Sequence, residues 1–170
     1  MSGHVHVVVV MGVSGSGKTT LARALAGAWQ ATFLDADDFH GTAAKARMAS
    51  GHPLTDRMRA PWVRRIATDL RQRAASGERV VLAFSGLRRR HREALRATGV
   101  PMRFLFLAGD AALIAARLHD RQGHYMPASL LDSQFATLEV PTDEADVVRI
   151  DVARAPAAQL RCALSALASR

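Results

Sequence analysis

The sequence predicts an α/β fold: a parallel sheet of five strands flanked by helices, with all 170 residues in one compact domain. Three observations lead there. Short, valine-rich apolar runs recur along the chain, and each is followed by a stretch with helical spacing. The first run, residues 5–11, is apolar on both faces, as a strand in the middle of a parallel sheet must be. That run passes straight into a glycine-rich turn that opens a helix, and in open parallel sheets ligands gather at that carboxyl edge.

The turn fits G-x-x-x-x-G-K-[ST] through Gly12, Gly17, Lys18 and Thr19, with Gly15 as an extra glycine inside. Glycines let the backbone of Gly12, Val13, Ser14, Gly15, Ser16 and Gly17 wrap so that N–H groups point at phosphate oxygens. The helix that follows adds its N-terminal partial positive charge, with Thr19 and Thr20 in the first turn. Lys18 is then placed to reach the β- and γ-phosphates of ATP, and the Thr19 hydroxyl to ligate Mg²⁺. Lys18 is one of only two lysines in an arginine-rich chain, the other being Lys45. A compact ammonium is kept where one is needed.

The first helix runs from Gly17 to about Gln30, with Leu21, Leu25 and Trp29 every fourth residue. Residues 32–35 form the second strand, ending in Asp35, Asp37 and Asp38, with His40 just beyond. Period two along an extended segment points Asp35 and Asp37 the same way. One acid can hold the waters around Mg²⁺ and another can accept the proton of an attacking hydroxyl. The bland alternative is solvated turn acids or a cap for the helix starting near Thr42. Residues 41–51 read as a short helix. Asp56 or Thr55 caps a longer one with Trp62, Val63, Ile66 and Leu70 as its apolar stripe, stopped at Gly77. Arg57 and Arg59 in its first turn oppose the helix dipole, which invites an anion or a nearby acid.

The third strand, residues 80–84, ends at Ser85 and Gly86. The helix from about Arg88 to Thr98 carries Arg88, Arg89, Arg90 and Arg92, a group suited to a substrate carboxylate or to phosphates, or simply a solvated basic face. Residues 102–107 are the fourth strand, followed by a helix with Ile114 and Arg117. Residues 120–128, DRQGHYMPA, read as a lid. Arg117 and Arg121, one helical turn apart, are placed to reach adenine and the phosphates, and Arg121 would neutralise charge on the transferred phosphoryl group. A helix over residues 128–139, a last strand over 146–152 and a closing helix over 156–169 complete the chain. The insertion at about residues 38–62 would hold the acceptor. These features fit a small-molecule kinase.

The formal net charge of +8 invites a nucleic-acid partner, but the arginines are scattered and aromatics make up only 5%, so no base-stacking platform is expected. Cys162 is the only cysteine, which excludes an intrachain disulfide and a cysteine metal cluster. Asparagine is absent, which removes both an N-glycosylation acceptor and the Asn-Lys-x-Asp element by which signalling GTPases select guanine. The run at residues 7–11 is too short to span a membrane, and the chain is expected to be soluble and in a reducing compartment.

GVSGSGKTT, FLDADDFH, MASGHPLTD, the R-x-P-W of residues 59–62, FSGLRRRHR, GHYMP and DSQFATLE together resemble the thermoresistant gluconokinase family of P-loop kinases, over residues 7 to about 152. The resemblance implies a nucleoside-monophosphate-kinase-like sheet of order 2-3-1-4-5. It implies transfer of the ATP γ-phosphate to the 6-hydroxyl of D-gluconate with Mg²⁺, a homodimer and a cytoplasmic location, with no nucleic-acid or membrane partner. Asp37 would be the base by similarity to shikimate kinases, Asp35 would serve the metal with Thr19, and Arg121 would be the lid arginine. Asp37, His40, Arg59, Arg88, Arg92 and His124 would contact the acceptor. The chain departs from the family pattern at Ala44, Arg47, Arg57, Met58 and His91, and where Gly41 and Thr42 replace prolines. These departures cluster on the acceptor side.

Overall fold

The computed structural model describes residues 4–120 and 128–169. The lid expected over residues 120–128, with Arg121 and His124, therefore lies almost wholly outside the described residues. Strands β1 (Val7–Met11), β2 (Thr32–Asp35), β3 (Val80–Ala83), β4 (Met102–Ala108) and β5 (Val147–Asp151) form one parallel sheet in the order β2-β3-β1-β4-β5. The expected order is the observed one.

β1 sits at the centre because it has no polar face to show, and none of its residues is more than 1% exposed. Its side chains alternate between two cores. Val8 and Val10 pack with Leu21 and Leu25 of α1 (Lys18–Trp29) and with Ala163 and Ala166 of α7 (Pro156–Ala168). Ile114 of α5 (Ala111–Asp120) and Leu131 of α6 (Ala128–Thr137) close that side. Val7, Val9 and Met11 pack on the other face with Trp62, Val63, Ile66 and Leu70 of α3 (Asp56–Ala75) and Leu95 of α4 (Arg89–Arg96). The four-residue period read for α3 is thus its buried stripe.

One local expectation is corrected and one open alternative is decided. The extended run stops at Asp35, and Ala36–Phe39 turn as a short 3-10 helix capped by Asp35, whose Oδ1 accepts from the Asp37 N–H at 2.9 Å. An acid at the strand's last residue can accept from the N–H two residues on, which favours the turn over continued extension. At the head of α3 the cap is Thr55, whose hydroxyl accepts from Met58 N–H at 3.3 Å, and Asp56 is left free for other partners. The short helix expected at 41–51 is α2 (Thr42–Ala49).

A second correction concerns Arg92, expected to contact the acceptor. Its side chain is 1% exposed and faces the equally enclosed Glu144. Its Nε and Nη2 donate to the two carboxylate oxygens at 2.9 and 2.7 Å, Nη1 donates to Gly86 O at 2.7 Å, and Nη2 also to Glu139 O at 3.1 Å. A fork-on-fork pair with these carbonyls leaves no donor for a ligand. Arg92 instead clamps the β3–α4 turn to the segment after α6.

Removing one partner of such a buried pair strands the other, so Arg92→Met should cost roughly 3–5 kcal/mol of stability, read by urea unfolding. Its hydrogen bonds to Arg92 hold the Glu144 carboxyl below its ordinary value of 4.5. The unfolded chain thus binds this proton at higher pH than the native one. The stabilisation is complete above about pH 4.5 and fades as pH falls through the native value, a limb that should be weaker in Glu144→Gln.

Candidate active site

The loop between β1 and α1 has no room for side chains where it turns. A Cβ on Gly12, at φ 150°, would lie 2.8 Å from Ser16 Oγ and 3.0 Å from Leu107 O, and one on Gly15, at φ 81°, would lie 2.5 Å from Leu118 Cγ. Three loop amides are held by the protein. Gly12 N–H donates to Ser85 O at 3.2 Å, Ser14 N–H to Gln134 Oε1 at 2.7 Å, and Ser16 N–H to Val13 O at 3.2 Å. Those of Gly15 and Gly17 have no protein acceptor among the described residues. They stand beside the free first-turn amides of α1, so donors and helix dipole converge on one spot. Ser16 Oγ is buried there without a partner among the described residues.

Lys18 folds back over this cradle, its Nζ donating to Gly12 O and Val13 O at 2.9 and 3.0 Å. Burial lowers its pKa to about 8, opposed by the negative charges of Asp37 and Asp35. It remains a cation at neutral pH, held by weak neutral acceptors that an anion can replace.

The facing wall comes from β2, its 3-10 turn and α3. Trp62 Nε1 donates to Ala36 O at 2.7 Å and Arg65 Nε to Phe39 O at 2.9 Å, so α3 grips the turn at both ends. Asp35 feels burial first, which raises its pKa, offset by the Asp37 N–H and by Lys18. Asp37 is open to the cavity, its side chain 78% exposed, and its Oδ1 lies 3.8 Å from His40 Nε2. His40 stacks on Trp62 with ring centroids 4.2 Å apart, and its Nδ1 is buried without a partner among the described residues. Burial, then Arg65, Lys45 and Arg59, push its pKa down to about 4, so it is neutral. Both walls border one cavity of about 680 Å³.

Behind that wall Asp56 is shared by three arginines. It meets Arg59 Nη1 at 3.3 Å and Arg88 Nε at 3.1 Å through Oδ1, and Arg90 Nη2 through Oδ2. Hydrogen bonding from Arg90 leads in holding its carboxyl low. Arg59 reaches the cavity, and burial lowers its pKa more than Asp56 restores it. Neighbouring His91 is buried and neutral, its pKa lowered to about 4 by burial and then by Arg59 and Arg90.

Of the residues singled out in the sequence, the cavity is lined by Ser14, Gly15, Gly17, Lys18 and Thr19 on one side and by Asp35, Asp37, His40 and Arg59 on the other. Gly12, Val13 and Ser16 are buried behind the lining, and Thr20 is exposed beside it. Arg88 is not brought to the cavity and acts on it through Asp56. Arg117 donates to Val152 O, which ties α5 to the turn after β5. Three features went unread: the His40–Trp62 stack, the Asp56 hub and the Gln134 contact with the loop. Each joins residues far apart in sequence. Only the R-x-P-W and DSQFATLE stretches hinted at them.

A family profile described as an AAA domain matches residues 7–141. The chain is 44% identical over 149 residues to a gluconokinase of Gluconobacter oxydans, covering 88% of this chain and 84% of that one. It is 41% identical over 145 residues to the thermosensitive gluconokinase of Escherichia coli, covering 85% of this chain and 78% of that one. The crystal structure of a gluconokinase from Sinorhizobium meliloti superposes with a TM-score of 0.89 at 41% identity, covering 97% of this chain and 93% of that one. Identity at this level over most of both chains, on the same backbone and with the phosphate cradle in place, makes this chain a member of the gluconokinase family.

Proposed function

We propose that the protein transfers the γ-phosphate of ATP to the 6-hydroxyl of D-gluconate. The observation that supports this most is the single cavity of about 680 Å³ with a phosphate cradle on one wall and Asp37, His40 and Arg59 on the other. That space suits a triphosphate end beside a six-carbon sugar acid, and the names of the relatives supply the acceptor.

Each side chain has a role in this reading. The amides of Gly15, Gly17 and the first turn of α1 hold the β-phosphate. Lys18 exchanges its two carbonyls for phosphate oxygens and stabilises the charge on the group in transit. Asp37, exposed to the cavity, accepts the proton of the attacking hydroxyl. Neutral His40, stacked on Trp62 and lining the cavity, backs Asp37 with its Nε2 3.8 Å from the carboxylate. Arg59, sharing its one carboxylate with two other arginines, takes the carboxylate of the acceptor.

Mg²⁺ fits the donor set. Among the described residues no group of three acidic, histidine or cysteine side chains converges, which suits an ion that keeps waters and phosphates as most of its ligands. The Thr19 hydroxyl and the Asp35 carboxylate border the same cavity and would hold it. When bound, it would screen the phosphate oxygens and so favour attack. Arg121 as the lid arginine, the homodimer and the cytoplasmic location implied by the resemblance belong to the same proposal, and size-exclusion chromatography tests the dimer. Among the described residues no helix is long and apolar enough to cross a membrane.

Arg57 and Met58, where the family pattern has acids, support a second reading in which the acceptor is another aldonate. An ADP-release screen decides: turnover with D-gluconate well above other aldonates and nucleotides is expected, and preference for another acid would select the second reading. Lys18→Met should lower kcat by about 10²–10³-fold, the loss found for other transition-state charge partners. Because the Lys18 ammonium of the free protein titrates near pH 8 and binds phosphate only when charged, kcat/KM for ATP should fall as pH rises through about 8. In Lys18→Arg that limb should move beyond the accessible range.

A further inference from the structure

We infer that Gln134 is a positioning residue for the nucleotide, a strut that fixes the phosphate loop through Ser14. It rests on the reading of that loop as the ATP site. The Gln134 carboxamide makes two bonds to one residue: Oε1 accepts from Ser14 N–H at 2.7 Å and Nε2 donates to Ser14 Oγ at 3.0 Å. The amide orientation follows from chemistry, since a backbone N–H can only donate.

The strut has a fixed base. Gln134 lies on α6, whose Leu131 is buried in the core. Just beyond α6, Glu139 N–H donates to Leu87 O at 2.7 Å, and the buried Arg92 guanidinium donates to Glu139 O. The Gln134 carboxamide is thus presented from a helix tied to the β3–α4 turn. On the other side of the loop, the Leu118 side chain of α5 occupies the space a Cβ on Gly15 would need. Two helices therefore brace adjacent loop residues.

The consequence is in the amides. With Gly12, Ser14 and Ser16 N–H committed to protein acceptors, those of Gly15 and Gly17 have none among the described residues and are left for a ligand. Donors fixed before the ligand arrives lose less entropy on binding. Without Gln134, Ser14 is free to rotate and the neighbouring donors lose their common aim. Gln134 itself borders the cavity.

The test uses Gln134→Met, which keeps bulk and removes both bonds, and Gln134→Asn, which draws the carboxamide back by one methylene. Three quantities are read: the Kd for ADP, the melting temperature without nucleotide, and the exchange rate of the Ser14 amide without nucleotide. Both variants should stay folded, melting about 2–4 °C below the wild type, exchange Ser14 faster and bind ADP about tenfold more weakly, the effect of about one lost hydrogen bond. KM for the acceptor should not move. Unchanged ADP affinity, or tighter binding, would show that the carboxamide only stands in for a phosphate oxygen and would overturn the strut. So would a Ser14 amide that exchanges no faster. ADP binding involves no acceptor, so the wrong acceptor would leave this result standing, whereas a wild type that does not bind ADP would sink the nucleotide reading itself.

Discussion

The site depends on keeping one ammonium charged in a place that disfavours charge. Burial pulls the Lys18 pKa down to about 8, and Asp37 and Asp35 across the cavity pull it back. Removing those acids would push the lysine further towards neutrality, and a neutral lysine is a poor partner for phosphate. The converse holds for Asp35, whose carboxyl is raised by burial and lowered by Lys18. The two walls therefore set each other's charge state. This is why the phosphate loop and the turn after β2 must face each other, and why they must come from strands separated by β3.

Holding those walls apart is the work of α3. Its apolar stripe anchors it on the sheet, and Trp62 also carries a polar edge that reaches Ala36 O. The indole thus fixes the acid turn from behind while its face supports His40. A histidine stacked and buried in this way stays neutral, so it offers a donor or an acceptor for a hydroxyl rather than a second positive charge beside Arg59.

The fold was almost fully legible in the sequence because its signals are local: five apolar runs, helical spacing between them, and a glycine loop whose context on both sides agreed. The cavity-lining acids and Lys18 were legible for the same reason, since they follow strand ends in a parallel sheet. Arg92 was misread because sequence shows an arginine cluster without showing which member faces inward. Its partner Glu144 lies 52 positions away. Asp37 was read correctly as a cavity residue but for the wrong local geometry, since a capped 3-10 turn replaces the extended segment. Gln134 was invisible as a contact because its partner is 120 positions earlier.

The distribution of arginine charge bears on the acceptor. Several arginines are matched by carboxylates within the fold: Arg92 and Arg96 by Glu144 and Asp146, Arg73 by Asp69 and Glu78. The group beside the cavity is different. Arg59, Arg88 and Arg90 share Asp56, and among the described residues the Glu139 carboxylate pairs with Arg88, at 3.8 Å. Three guanidinium groups against two carboxylates leave a positive surplus in this group, and Arg59, its least exposed member, is the one that lines the cavity. A neutral polyol would leave that charge unmatched, and a nucleotide acceptor would bring more negative charge than it can balance. The carboxylate of a sugar acid, the proposed acceptor, would meet that surplus, which Asp56 keeps small by its contacts with all three arginines.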